Sequence, residues 1–171
     1  DEYLTSPLDL RSKLLWYHPH VAILTGIAWD HINVFPTFDG YVDTFRKFVD
    51  GIEENGTFIY YKHDSNLCEI ASQARKDIKQ LPYEAYQGDV DMKIFGKHNM
   101  ENLQAAALAC EQIGVKSEDF YRTIATFTGA SNRLELIDEI GTNVAYKDFA
   151  HSPSKLRATV NAVRERYPEK Q

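Results

Sequence analysis

Three short stretches carry side chains whose types and spacing could do chemistry. Asp30 and His31 stand together at the end of an apolar run. An imidazole beside a carboxylate can hold a metal ion or act as a base. A loop histidine near a helix N-terminus is the ordinary alternative. Lys97, His98 and Asn99 follow Gly96, with Asn102 about one helical turn further on. At a helix N-terminus such a set suits a nucleotide or another anion, because the free N–H groups and the dipole face it. A well-capped helix with polar ends would use the same residues. Asp148, His151 and Ser152 precede Pro153. There a carboxylate and an imidazole flank a further helix start, and a turn or capping role for Asp148 competes. Arg133 and Glu135 lie in or just before a strand, where a plain ion pair would explain both.

The elements that must position these groups follow from periodicity. Residues 21–27 (VAILTGI) are a continuous apolar run, the mark of a strand buried on both faces of a parallel sheet. Open α/β sheets bind ligands at the carboxyl ends of their strands, where Asp30 and His31 fall. Residues 37–52 repeat apolar side chains at helical spacing (Phe38, Tyr41, Val42, Phe45, Phe48, Val49, Ile52). A strand over 57–61 and a helix over 66–76, capped by Ser65, complete a βα alternation. Residues 81–91, with Pro82, Gly88 and three acidic residues, read as a linker or hinge.

Beyond the linker, Gly96 permits a tight turn. A helix capped by His98 or Asn99 would present Leu103, Ala106, Ala107, Cys110 and Ile113 on one face and stop at Gly114. The spacing predicts a helix from Ser117 to about Phe127, a turn over 129–132, and strands over 134–140 and 143–146 around Gly141 and Thr142. A last helix begins at Ser152 and Pro153, with Leu156, Val160 and Val163 on its apolar face. Residues 1–19 read as a surface segment.

The 171 residues are 43% hydrophobic and 12% aromatic, enough for a packed core. A net charge of −6 argues against nonspecific nucleic-acid binding, which needs a basic face. No apolar run reaches the length of a membrane span, and no signal peptide opens the chain. Two cysteines, Cys68 and Cys110, fit a reduced, cytoplasmic protein better than a disulfide scaffold. The chain opens on Asp1 without methionine and reads as a piece of a longer protein. It holds no Walker A loop, no Gly-x-Gly-x-x-Gly, no Cys-x-x-Cys and no Gly-x-Ser-x-Gly. On spacing alone the reading stops at a two-lobed α/β ligand-binding protein.

Four ordered motifs go further. Thr25-Gly-Ile-Ala-Trp-Asp-His31, Gly96-Lys-His-Asn99 with Asn102, Gly129-Ala-x-x-Arg133-Leu-Glu135 and Asp148-Phe-Ala-His151-Ser-Pro153 together resemble the Mur ligases, the ATP-dependent amide-bond ligases of peptidoglycan synthesis. The resemblance implies an α/β fold: part of a central parallel-sheet ATP-binding domain, residues 1–88, then part of a Rossmann-like C-terminal domain, residues 89–171. It implies ATP and Mg²⁺ as cofactors, with His31 both metal ligand and catalytic group and Arg133 stabilising phosphate charge. His98, Asn99 and Asn102 would meet the adenine end of ATP and Asp148 the ribose. His151 and Ser152 would sit by the incoming amino acid or peptide.

Asp1-Glu2-Tyr3, Arg11-Ser-Lys13 and Asp148-Phe-Ala-His151 are similar to the branch that joins L-Ala-γ-D-Glu-meso-diaminopimelate to UDP-N-acetylmuramate, with the L-alanine-adding branch next. The reaction implied is acyl phosphorylation of the muramoyl carboxylate, then attack by an amine; a non-catalytic nucleotide-binding module is the alternative. The family's phosphate-binding loop and its acidic metal ligand are expected upstream of Asp1, so the 171 residues alone are expected to be inactive. Some members carry a carbamylated lysine near the place of Arg46, a role arginine cannot take. No partner nucleic acid or membrane is expected, and the oligomeric state is left open.

Overall fold

A computed structural model describes residues 2–169. The chain splits into two compact units, residues 1–84 with 104–114, and residues 85–103 with 115–171. It is mixed α/β with a parallel sheet.

The first unit holds β1 (Val21–Leu24), α1 (Phe38–Asp50), β2 (Thr57–Tyr61), α2 (Ser65–Gln73) and β3 (Lys79–Tyr83). The strands run in the order β1-β2-β3, all parallel, with Ile23 opposite Ile59 and Ile59 opposite Leu81. Both faces of β2 are covered, which is why its sequence shows no polar alternation. Phe58 packs with Phe45, Val49, Leu67 and Ile70 from α1 and α2. Ile59 packs on the other face against Ala105, with Leu108 and Ala109 beside it. Phe58, Ile59 and Leu67 are wholly buried, each stabilising the unit by about 1.5–3 kcal/mol relative to exposure.

Residues 79–83 correct the first three residues of the linker expected over 81–91. They form β3, whose Pro82 lies opposite Tyr60. Proline lacks the N–H that a central strand must donate, and the order of the sheet puts β3 at its edge, where that loss is tolerated. β1 also stops earlier than expected, at Leu24, before Gly26 with φ +154°. Ser65 is the first residue of α2 rather than its cap. Asp64 caps it, accepting from Asn66 N and Leu67 N. The opening segment is folded rather than plain surface. Leu4 and Ser12 form an antiparallel bridge, and the Arg11 guanidinium binds Asp9 and lies 4.0 Å over the Trp16 ring.

In the second unit, α4 (Ser117–Ile124) and α5 (Pro153–Arg166) accompany the antiparallel pair β4 (Glu135–Ile140) and β5 (Asn143–Lys147). The chain passes from this unit into the first along α3 (Lys97–Gln112). His98 and Asn99 are helical residues of α3, not its caps; the Asn99 amide donates back to Phe95 O at 2.8 Å. The apolar face of α3 differs from expectation. Leu103 and Ala105 are buried while Ile113 is 73% exposed. An alanine-rich helix has little contrast between its faces, so its period is weakly marked. α5 starts at Pro153 with Ser152 at the cap position, though the Ser152 hydroxyl makes no capping bond. Leu156 and Val160, expected on its buried face, are exposed, whereas Ala162 is buried.

Candidate functional site

In the first unit the residues of interest gather after the carboxyl end of β1. Gly26 stands in a conformation that side chains avoid. The Asp64 carboxylate then accepts from Ile27 N at 2.7 Å as well as capping α2. One side chain thus ties the loop after β1 to the helix after β2. His31 itself has φ +56°, a left-handed conformation that costs a non-glycine residue roughly 1–2 kcal/mol. It is held there by its surroundings: His31 N donates to Asp30 Oδ1, and His31 O accepts from Val34 N and Phe35 N. The Tyr3 ring meets the imidazole edge-on with centroids 4.9 Å apart.

Spacing in the sequence does not foretell that Glu2 packs beside His31. Glu2 brings Oε1 to 3.6 Å from His31 Nε2. The same oxygen accepts from the Tyr41 hydroxyl at 3.1 Å. Burial, then the neighbouring Glu2 charge, raises the Tyr41 pKa, so this phenol is a donor at neutral pH. Among the described residues no group of three or more His, Cys, Asp or Glu side chains is placed to hold a metal ion. Glu2 and His31 stand at ion-pair distance, and Mg²⁺ prefers oxygen donors to an imidazole nitrogen.

In the second unit the fold brings His98, Arg133 and Asp148 into one electrostatic neighbourhood. Burial lowers the His98 pKa; the charges of Asp148 and Glu101 pull it up, and Arg133 lowers it further. Gly96 makes the approach to α3 possible, since it has φ +88° and a Cβ there would stand 2.5 Å from Ala162 Cβ. Asp148 spends its carboxylate on backbone: Oδ2 accepts from Leu134 N at 2.8 Å and Oδ1 from Ala150 N at 2.7 Å. It thereby fixes the loop that presents Arg133, an exposed residue. Glu135 accepts from Asn132 N and the Ser131 hydroxyl, which lowers its pKa. The His151 ring donates Nδ1–H to Phe149 O at 2.9 Å, and Ser152 Oγ lies 3.4 Å from Ser154 Oγ. Asn102 is exposed. A groove of about 470 Å³ adjoins His98, lined also by Lys97, Glu101, Arg157 and Asn161. His31 belongs to the first unit and the remaining candidates to the second.

Comparison with known proteins supplies the context. Residues 6–84 match the Mur ligase middle domain. Along 96% of its length the chain is 29% identical to the UDP-N-acetylmuramate–L-alanyl-γ-D-glutamyl-meso-2,6-diaminoheptandioate ligase of Escherichia coli K12, covering 41% of that protein. Along 99% it is 27% identical to the UDP-N-acetylmuramate–L-alanine ligase of Caldicellulosiruptor saccharolyticus, covering 43%. The chain therefore spans less than half the length of these Mur ligases. In fold it resembles a murein peptide ligase from Psychrobacter arcticus, with a TM-score of 0.70 at 22% identity over 99% of this chain and 40% of that one.

Proposed function

We propose that the chain is part of an ATP-dependent ligase that joins L-Ala-γ-D-Glu-meso-diaminopimelate to UDP-N-acetylmuramate. What supports this most is the alignment with the E. coli ligase over 96% of the chain. Residues 1–88 would be the second half of the central ATP-binding domain and 89–171 the first half of the C-terminal domain. The cytoplasm is the compartment we propose, since Cys68 and Cys110 are both free thiols. Among the described residues no helix is long and apolar enough to cross a membrane.

The residue roles we assign are those that the resemblance implies. His31 would be a ligand of Mg²⁺, which when bound offsets phosphate charge. Mg²⁺ stays a proposal resting on the resemblance of the segment that ends in Asp30 and His31. His98, Asn99 and Asn102, on the first turns of α3, would orient the adenine end of ATP. Each Asp148 oxygen already accepts one N–H and keeps a lone pair for a ribose hydroxyl. The exposed Arg133 guanidinium would stabilise charge on the transferring phosphoryl group. His151 and Ser152, at the start of α5, would receive the incoming amine. Catalysis of this kind is chiefly positioning and electrostatics.

The test uses the full-length parent, assayed for ATP-dependent ligation of UDP-N-acetylmuramate to the tripeptide and to L-alanine, with and without His31→Ala. Turnover with the tripeptide that His31→Ala abolishes is the expected result. Turnover with L-alanine alone would move the protein to the alanine-adding branch, which the C. saccharolyticus alignment keeps open. Turnover with neither substrate, at intact fold, would leave a nucleotide-binding module.

A further inference from the structure

We infer that the groove between α3 and α5 holds the distal end of the acceptor peptide, with Arg157 receiving its glutamate carboxylate and Glu165 its diaminopimelate ammonium. The inference deepens the ligase reading above and rests on it. Arg157, Asn161 and Glu165 line one wall with Ala158 and Ala162, and their spacing sets them on a single face of α5. The two alanines leave space that larger side chains would fill. At about 470 Å³ the groove falls within the roughly 300–1,000 Å³ of small-molecule sites. On the α3 wall charge is largely offset, since Lys97 Nζ lies 3.7 Å from Glu101 Oε1. On the α5 wall it is not. Arg157 and Glu165 are both exposed, and neither has an ion-pair partner among the described residues. The helical rise holds them about 12 Å apart along the axis. A cation and an anion so separated suit a ligand with the opposite pair of charges. The tripeptide has that pair. Beyond the L-alanine amine that reacts come the glutamate α-carboxylate and, at the far end of diaminopimelate, an ammonium beside a carboxylate. The order along α5 is the same: Ser152 by the reacting amine, Arg157 about 7.5 Å further on, then Glu165. A guanidinium takes a carboxylate in a bidentate fork. L-Alanine ends one carbon from its amine and would leave both side chains in water, so the groove would favour the longer acceptor.

The test uses the full-length parent with the tripeptide as substrate and with the dipeptide L-Ala-γ-D-Glu, which lacks the diaminopimelate end, as substrate or competitive inhibitor. Arg157→Gln is expected to weaken both peptides roughly ten-fold or more, read as KM or inhibition constant. The kcat and the KM for ATP should stay as they were, because a contact made equally in ground and transition states acts on binding alone. Glu165→Gln should raise the KM for the tripeptide and leave the dipeptide unaffected. KM does not depend on the fraction of enzyme that is folded, so a variant that melts early still decides. Unchanged tripeptide KM in both variants, in a parent that turns the tripeptide over, would overturn the groove assignment and leave the ligase reading standing. An equal rise in the KM for ATP would overturn it as well, giving the groove to the nucleotide. A parent that turns over L-alanine alone, or neither substrate, would sink the tripeptide reading and this inference with it.

Discussion

His98 shows how a half-buried imidazole records its surroundings in stability. Burial is the largest influence and holds its pKa below the ordinary value. The unfolded chain, titrating near 6.5, therefore binds the proton more readily than the folded one. A depressed folded pKa contributes stability that is full above about pH 6.5 and is lost as pH falls through the folded value. Chemical denaturation across pH 5–8 should show unfolding free energy rising with pH, and His98→Gln should remove that part of the slope. An unchanged slope would mean that His98 is solvated like any surface histidine. Asp148 carries a lesson at the same scale. The sequence offered a turn role and a ligand role for it, and its two backbone bonds leave room for both. The packing of Glu2 beside His31 was not legible, because one acidic residue among 25 gives no signal until the chain folds His31 against it.

At the scale of elements, legibility followed burial contrast. β2 and α1 could be read because an apolar run and a helical repeat reflect environments that differ sharply from solvent. β3 could not, because an edge strand with Lys79, Gln80 and Pro82 looks like a linker until its pairing is seen. The caps were misassigned by one residue where two capping types adjoin, as at Asp64 and Ser65, and only side-chain geometry separates them. Asp64 joins two elements, so its loss should exceed an ordinary cap. Asp64→Ala is expected to cost about 2–4 kcal/mol, a cap plus an unsatisfied Ile27 N–H. Urea denaturation would measure it, and a loss as small as that of a lone cap would show that the Ile27 bond adds nothing.

For the whole molecule, the two units differ in how well they bury what they own. The first sheet is covered on both faces. β4 and β5 form a two-stranded pair with Leu136, Ile137 and Ile140 more than half exposed, and such a pair is marginal by itself. Hydrogen exchange on the 171-residue chain should show amides of 135–147 exchanging far faster than those of β2. Equal protection would mean that the pair draws stability from a source other than its own packing.

The left-handed backbone at His31 has a consequence for variation at that position. Histidine is strained there, glycine is not, and asparagine tolerates the conformation better than most residues. His31→Gly is therefore expected to melt at or above the temperature of the unaltered chain, by scanning calorimetry, while losing the imidazole that faces Glu2. Durability and activity would then pull this codon in opposite directions. A library screened for soluble protein alone would drift toward glycine at position 31; under the role proposed for His31, a library of the full-length parent screened for ligation would hold histidine.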